Sequence, residues 1–154
     1  MTYACTVETQ AAQPVLFVRR RGPVQNLPEL VSAAYAAIGA YAAEAGAALV
    51  GGPYVTYYNA DMQDLDVEMG FPVAGPMPGR GEVQFRMLPE SRVATCLHTG
   101  PYDQIGPAYA ALQAWMAQNG LTPSEQMFEW YLNDPEQAAP EALLTKIAWV
   151  LLEA

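Results

Sequence analysis

The sequence predicts an α+β fold in which a β-α-β-β unit is used twice, forming an antiparallel sheet with two helices on one face and a pseudo-twofold ligand cleft. Three observations predict it. The chain registers against itself at an offset of 74 residues: Val31 falls on Ile105, Tyr35 on Tyr109, Tyr41 on Trp115, Gly46 on Gly120, Tyr54 on Phe128, Tyr57 on Tyr131 and Asn59 on Asn133. Each copy carries one stripe of apolar residues at helical spacing. Each also carries aromatic and β-branched runs bounded by glycine and proline turns. With 154 residues the chain supports one core and is short for two, so it reads as a single domain over 1–154 with internal halves of about 1–75 and 76–154.

In the first copy, Pro14 to Arg19 is a β-rich run ending in a loop at Gly22-Pro23. A helix begins at Pro28, which suits a first helical turn because the N–H it lacks has no partner there. Leu30, Ala34, Ile38, Tyr41 and Ala45 line one face, and Gly46 stops the helix. Gly51-Gly52-Pro53 turns the chain into the strand Tyr54 to Tyr58. Leu65, Val67 and Met69 then alternate with Asp64, Asp66 and Glu68, the period of a strand with one solvated face. Pro72 to Gly81 is a linker or hairpin loop. The second copy repeats the order: strand Arg92 to His98, turn Gly100-Pro101, a helix lined by Ile105, Tyr109, Leu112 and Met116 and closed by Gly120, then strands Met127 to Leu132 and Leu144 to Leu151.

Composition bounds the function. Apolar residues are 52% of the chain and charged residues 15%, which excludes disorder. The net charge of −9 repels phosphate backbones and attracts cations, so direct nucleic-acid binding is not expected. No apolar run approaches the length of a membrane span, and the first residues lack a signal peptide's basic and apolar segments. Cys5 and Cys96 are too few for a disulfide framework and read as reduced thiols of a cytoplasmic protein.

Glu129 stands out among candidate site residues. It lies in Phe128-Glu129-Trp130-Tyr131, an aromatic strand with no other charge, where the first copy has Val55. Glu129 and Tyr131 share one face of that strand, Phe128 and Trp130 the other, and the sequence does not say which face is buried. A solvated glutamate on an edge strand is the plain alternative. Ringed by aromatics, the carboxylate would favour a bulky organic cation, and desolvation would raise its pKa. Tyr57, Tyr102 and Tyr131 are the tyrosines best placed to line a pocket, with Met69 and Phe71 at a strand end; Tyr35, Tyr41, Tyr109 and Trp115 read as core. Cys96 and His98 point to one side of a strand, but nothing in the sequence orients the imidazole, and no zinc or calcium spacing, phosphate loop or GxSxG motif occurs. No metal or cofactor is expected. Arg19-Arg20-Arg21 reads as local ion pairing.

His98-x-Gly100-x-Tyr102, the helix after it and Glu129-x-Tyr131-x-Asn133-Asp134-Pro135 together resemble the GyrI-like small-molecule-binding family, also seen as the effector-binding domain of multidrug-responsive transcription regulators. Val67-Glu68-Met69-Gly70-Phe71-Pro72-Val73, Leu88-Pro89 and Leu144-Thr145-Lys146-Ile147 are similar too, so the likeness spans essentially the whole chain. It implies a cleft for hydrophobic, often cationic compounds, with an acidic residue at the Glu129 position and aromatics around it. Ala148-Trp149-Val150 stands where the family usually has a proline, so Trp149 is expected to narrow the pocket. The chain starts directly with its first strand, and no DNA-reading role is expected of it.

Three functions follow. The first is a binder of hydrophobic or cationic small molecules for sequestration, sensing or detoxification, using Glu129, Tyr131, Tyr57, Tyr102, Phe71, Met69 and Trp149. The second is a hydrolase of strained electrophiles, such as cyclopropane-bearing alkylating toxins, with Glu129 as general base and Tyr131 as hydrogen-bond donor. The third is a protein-interaction module of the gyrase-inhibitor type, docking its acidic surface on a basic protein partner.

Overall fold

The helical stripes and β-rich runs fold as expected into an α+β protein whose strands pair antiparallel. The computed structural model describes residues 3–152. Among the described residues there are eight strands and two long helices: β1 Cys5–Gln10, β2 Gln13–Gly22, α1 Leu27–Ala45, β3 Tyr54–Tyr57, β4 Leu65–Pro72, β5 Gln84–Leu88, β6 Ser91–Thr99, α2 Gly106–Gln118, β7 Pro123–Tyr131 and β8 Leu144–Leu151. None of these helices is long and apolar enough to cross a membrane. The chain divides into two units, residues 11–90 and residues 1–10 with 91–154.

The unit 11–90 orders its strands β3-β4-β2-β5. Pro28 sits in the first turn of α1, and Gly46 ends it at a φ of 66°, the left-handed conformation that glycine adopts without a Cβ penalty. The Ala47 amide then donates back to the Ala42 carbonyl at 2.9 Å. Ala34, Ile38, Tyr41 and Ala42 are the buried stripe of α1, which packs on β2 and β4.

β4 is a strand, as its period of two predicts, but it has no solvated face: Leu65 through Gly70 are all buried. It pairs with β2 on one side and β3 on the other. The fold supplies partners for these acids. Arg19 donates Nε and Nη2 to the two oxygens of Asp66 at 2.9 and 2.7 Å, and Arg21 reaches Asp64 at 2.9 Å. Arg20 pairs with Glu82, so the arginine run does make local ion pairs. Glu68, only 1% exposed, accepts from Tyr54 Oη and Tyr58 Oη, each at 2.6 Å, and pairs with Arg86 at 2.9 Å. Gly70 makes room for this cluster, because a Cβ there would come within 2.6 Å of the Tyr54 ring.

Burial, reinforced by the Glu68 charge and its hydrogen bonds, holds the Tyr54 and Tyr58 hydroxyls far above an ordinary tyrosine's value near 10.0. The neutral phenol is therefore favoured by folding. That stability is complete below pH 10, and it is lost as pH rises beyond 10, where the unfolded chain ionises first. Urea unfolding between pH 9 and about 11.5 should show stability falling with pH, with a shallower slope in Tyr58→Phe; equal slopes in the two proteins would contradict this.

The unit of residues 1–10 and 91–154 orders its strands β1-β6-β8-β7. Beneath α2 lies a core of Ala94, Cys96, Ala108, Leu112, Met116, Ile147 and Leu151. Gly120 follows α2 at a φ of 66°, as its predicted stop. β1 and β5 are additions to the expected elements. Both are short, stand at the ends of their strand orders, and alternate polar with apolar residues too weakly to be legible. The chain leaves this unit at Gln10 and re-enters at Ser91, and these two residues are register partners on β1 and β6.

Candidate functional site

The ladder register resolves which face of β7 is which. Glu129 lies opposite Ile147 on β8, and Ile147 opposite Cys96 on β6. Directly opposed residues share a face, and Ile147 and Cys96 belong to the core under α2. Glu129 and Tyr131 therefore project on the α2 side. Phe128 and Trp130 stack on the other side, rings 5.7 Å apart and 10° from parallel, with Trp130 Nε1 donating to Gln10 at 3.0 Å.

Glu129 is half-buried, and both of its oxygens accept phenolic hydrogen bonds. Tyr131 Oη donates to Oε1 at 2.8 Å, and Tyr109 Oη of α2 donates to Oε2. The rings continue outward. Tyr102 meets Tyr131 edge-on at 5.4 Å, and Trp149 meets Tyr109 edge-on at 6.3 Å. Trp149 is fixed by its Nε1–H, which donates to the Ser124 carbonyl at 2.8 Å. Tyr102 is 37% exposed, and burial together with the nearby Asp134 charge pushes its hydroxyl upward.

Four of the predicted ligand residues, Glu129, Tyr131, Tyr102 and Trp149, thus lie in one cluster within one unit. The other three lie in the unit 11–90. Tyr57 and Met69 belong to neighbouring strands, Met69 fully buried; Phe71 is half-buried and meets Tyr35 edge-on at 5.1 Å. Cys96 is unsuited to nucleophilic catalysis: burial first, and the neighbouring Cys5, push its thiol up to about 12. His98 is buried, with Nε2 held 3.0 Å from the Pro101 carbonyl oxygen.

Tyr109, expected in the core, does pack against the cluster under α2, and its hydroxyl also holds the carboxylate. The repeat contains the signal. Tyr35, its counterpart, donates to the backbone oxygen of Tyr54 at 2.9 Å, next to Val55. Val55 faces Met69 and Met69 faces Val18, just as Glu129 faces Ile147 and Ile147 faces Cys96. Where the second copy exchanges that valine for a glutamate, the matching helix tyrosine donates to the new carboxylate.

The described residues contain two carboxylates that each accept from two tyrosines. Glu68 also has the Arg86 guanidinium. Glu129 has its two tyrosines and, among the described residues, no ion pair with lysine or arginine.

Comparison with known proteins places these observations. A family model described as the GyrI-like small molecule binding domain matches residues 3–151. The chain is similar to the EcmrR C-terminal domain, at 23% identity, with all of both chains covered and a TM-score of 0.85. It is similar to a hydrolase from Listeria innocua at 15% identity, over 96% of this chain and 91% of that one, with a TM-score of 0.70. It is also similar to SAV2435 in its complex with tetraphenylphosphonium, at 10% identity over 99% and 94% of the two chains, with a TM-score of 0.62. At these identities the likeness is one of fold. No curated protein matches in sequence.

Proposed function

The chain belongs to the GyrI-like small-molecule-binding family, and from that premise we propose that it holds hydrophobic organic cations, with Glu129 selecting for charge and the rings of Tyr102, Tyr109, Tyr131 and Trp149 receiving the apolar body. One observation carries the reading. The tyrosine–glutamate–tyrosine arrangement occurs with an internal cation at Glu68 and, among the described residues, without one at Glu129. A half-buried carboxylate among rings is poorly solvated, and a cation with aromatic or aliphatic substituents relieves that while lying against π-faces that attract it. The phenols fix the carboxylate's orientation and leave the charge to the ligand.

Matched ligands test the reading. Tetraphenylphosphonium, the cation bound by the structural neighbour SAV2435, and neutral triphenylphosphine oxide present similar aromatic surface. Isothermal titration should give the cation the tighter binding by roughly tenfold or more, about 1.4 kcal/mol. Equal affinities would remove the role assigned to Glu129.

A second reading uses the same atoms. Glu129 can also take a proton from water while a tyrosine hydroxyl donates to a developing oxyanion, and one structural neighbour is described as a hydrolase. Many turnovers of an excess of a cyclopropane-bearing electrophile, absent in Glu129→Gln, would put hydrolysis ahead of binding. Conversion at the buffer rate would leave binding in front.

A further inference from the structure

Cys5 and Cys96 are directly opposed on the antiparallel strands β1 and β6. Opposed residues in such a ladder have Cα atoms about 4.5–5.5 Å apart, within the span a disulfide bridges. Their side chains share the face on which α2 packs, and Cys5 lies against the same buried cluster that contains Cys96. Both thiols are free and stand opposite each other across the ladder. They are unequal in access: Cys5 is half-buried, Cys96 buried at 2% exposure with its S–H donating to the Ala108 carbonyl at 3.6 Å. A partly accessible cysteine directly opposite a hidden one is the arrangement of an attacking thiol and a resolving thiol.

We propose that this pair is a redox-modification site, closed by hydroperoxides into a reversible Cys5–Cys96 disulfide. The Cys5 sulfur attacks the terminal oxygen of a hydroperoxide, the O–O bond breaks, and the departing alkoxide takes up the thiol's proton to leave as the alcohol. Cys5 is now a sulfenic acid. Cys96, held opposite by the ladder, then attacks that sulfur, proximity compensating for a thiol that burial has raised; the S–O bond breaks, and the hydroxide leaves as water with the Cys96 proton. Two thiols and one hydroperoxide thus become one disulfide, one alcohol and one water. A dithiol reductant reverses the bond by exchange.

The position gives the bond its consequence. The whole 11–90 unit is inserted between β1 and β6. The bond would tie residues 91 positions apart and fasten the N-terminal strand to its ladder. Long closed loops lose the most unfolded-state entropy on cross-linking.

The test treats dilute full-length protein with a small excess of tert-butyl hydroperoxide. Intact mass, thiol alkylation after unfolding, and melting temperature are followed with and without dithiothreitol. The expected result is a mass loss of about 2 Da with both thiols blocked, restored by reductant, and a melting point raised by roughly 5–10 °C in the oxidised form. Cys96→Ala should show no such loss and no rise, with Cys5 carried on towards the sulfinic acid, a gain of about 32 Da. Cys5→Ser, at a half-buried position, is the second control and should leave Cys96 alkylatable. Wild-type protein that gains oxygen at Cys5 with Cys96 still alkylatable, dimerises through Cys5, or keeps both thiols would overturn the proposal.

Discussion

Glu68→Leu should lower the stability of the protein by about 3 kcal/mol, the lower part of the range for breaking a buried ion pair by removing one partner. The substitution deletes the acceptor of the Tyr54 and Tyr58 hydroxyls and the counter-charge of Arg86 together. Tyr54 is fully buried, so its hydroxyl has no route to water, and an orphaned hydroxyl of this kind itself costs about 1–3 kcal/mol. Arg86 is 32% exposed at its side chain and retains the Tyr58 oxygen at 2.8 Å and the Phe17 ring at 5.4 Å, which limits its share of the loss. The triple variant Glu68→Leu with Arg86→Met and Tyr54→Phe removes the charges and the buried donor together. It should recover most of the deficit, because apolar replacement of a whole buried pair is close to neutral. Urea midpoints at constant slope measure both steps. A single variant within 1 kcal/mol of wild type, or a triple variant no better than the single one, would show that the cluster is not what holds β4 in place.

Glu129→Gln should weaken tetraphenylphosphonium binding by about 1–3 kcal/mol, roughly 5- to 150-fold, and leave triphenylphosphine oxide unchanged. The amide keeps the volume of the carboxylate and one oxygen for a tyrosine, so the rings stay in place and the charge alone is removed. Stability should change little, since Glu129 is half-buried and carries no internal counter-ion among the described residues. The opposite exposures of the two glutamates make the comparison informative: neutralising Glu68 should be read in the unfolding curve, neutralising Glu129 in the titration. Equal losses for the cation and the neutral analogue would mean that Glu129 shapes the pocket without supplying its charge selectivity.

The fold was legible because it is written twice. A fixed offset relating Tyr35 to Tyr109 and Gly46 to Gly120 fixes both helices and their stops without any single strong motif. What stayed hidden was pairing at a distance. The acids of β4 read as solvated because their cations, Arg19, Arg21 and Arg86, lie on other strands, and alternation reports side-chain direction without reporting what covers each face. β7 is aromatic on both sides, so only its register against β8 separates Glu129 from Trp130. Tyr109 was set down as core because an apolar helix stripe does not reveal where a hydroxyl ends. The comparison of Val55 with Glu129 held that information, since a new carboxylate beside a matched tyrosine invites a hydrogen bond.

The insertion of one unit between β1 and β6 also sets an order of events as the chain is made. Cys5 leaves the ribosome 91 residues ahead of its ladder partner Cys96, an interval of roughly 5–18 s at ordinary rates of synthesis. Throughout it β1 has no β6 to pair with, and only near its end is the whole 11–90 stretch out and able to fold. A waiting strand is a template for unwanted pairing, and β1 meets that hazard with Thr6, Glu8, Thr9 and Gln10, a polar sequence that attracts few strangers. β1 cannot enter its ladder until the nascent chain has passed the whole of the inserted unit.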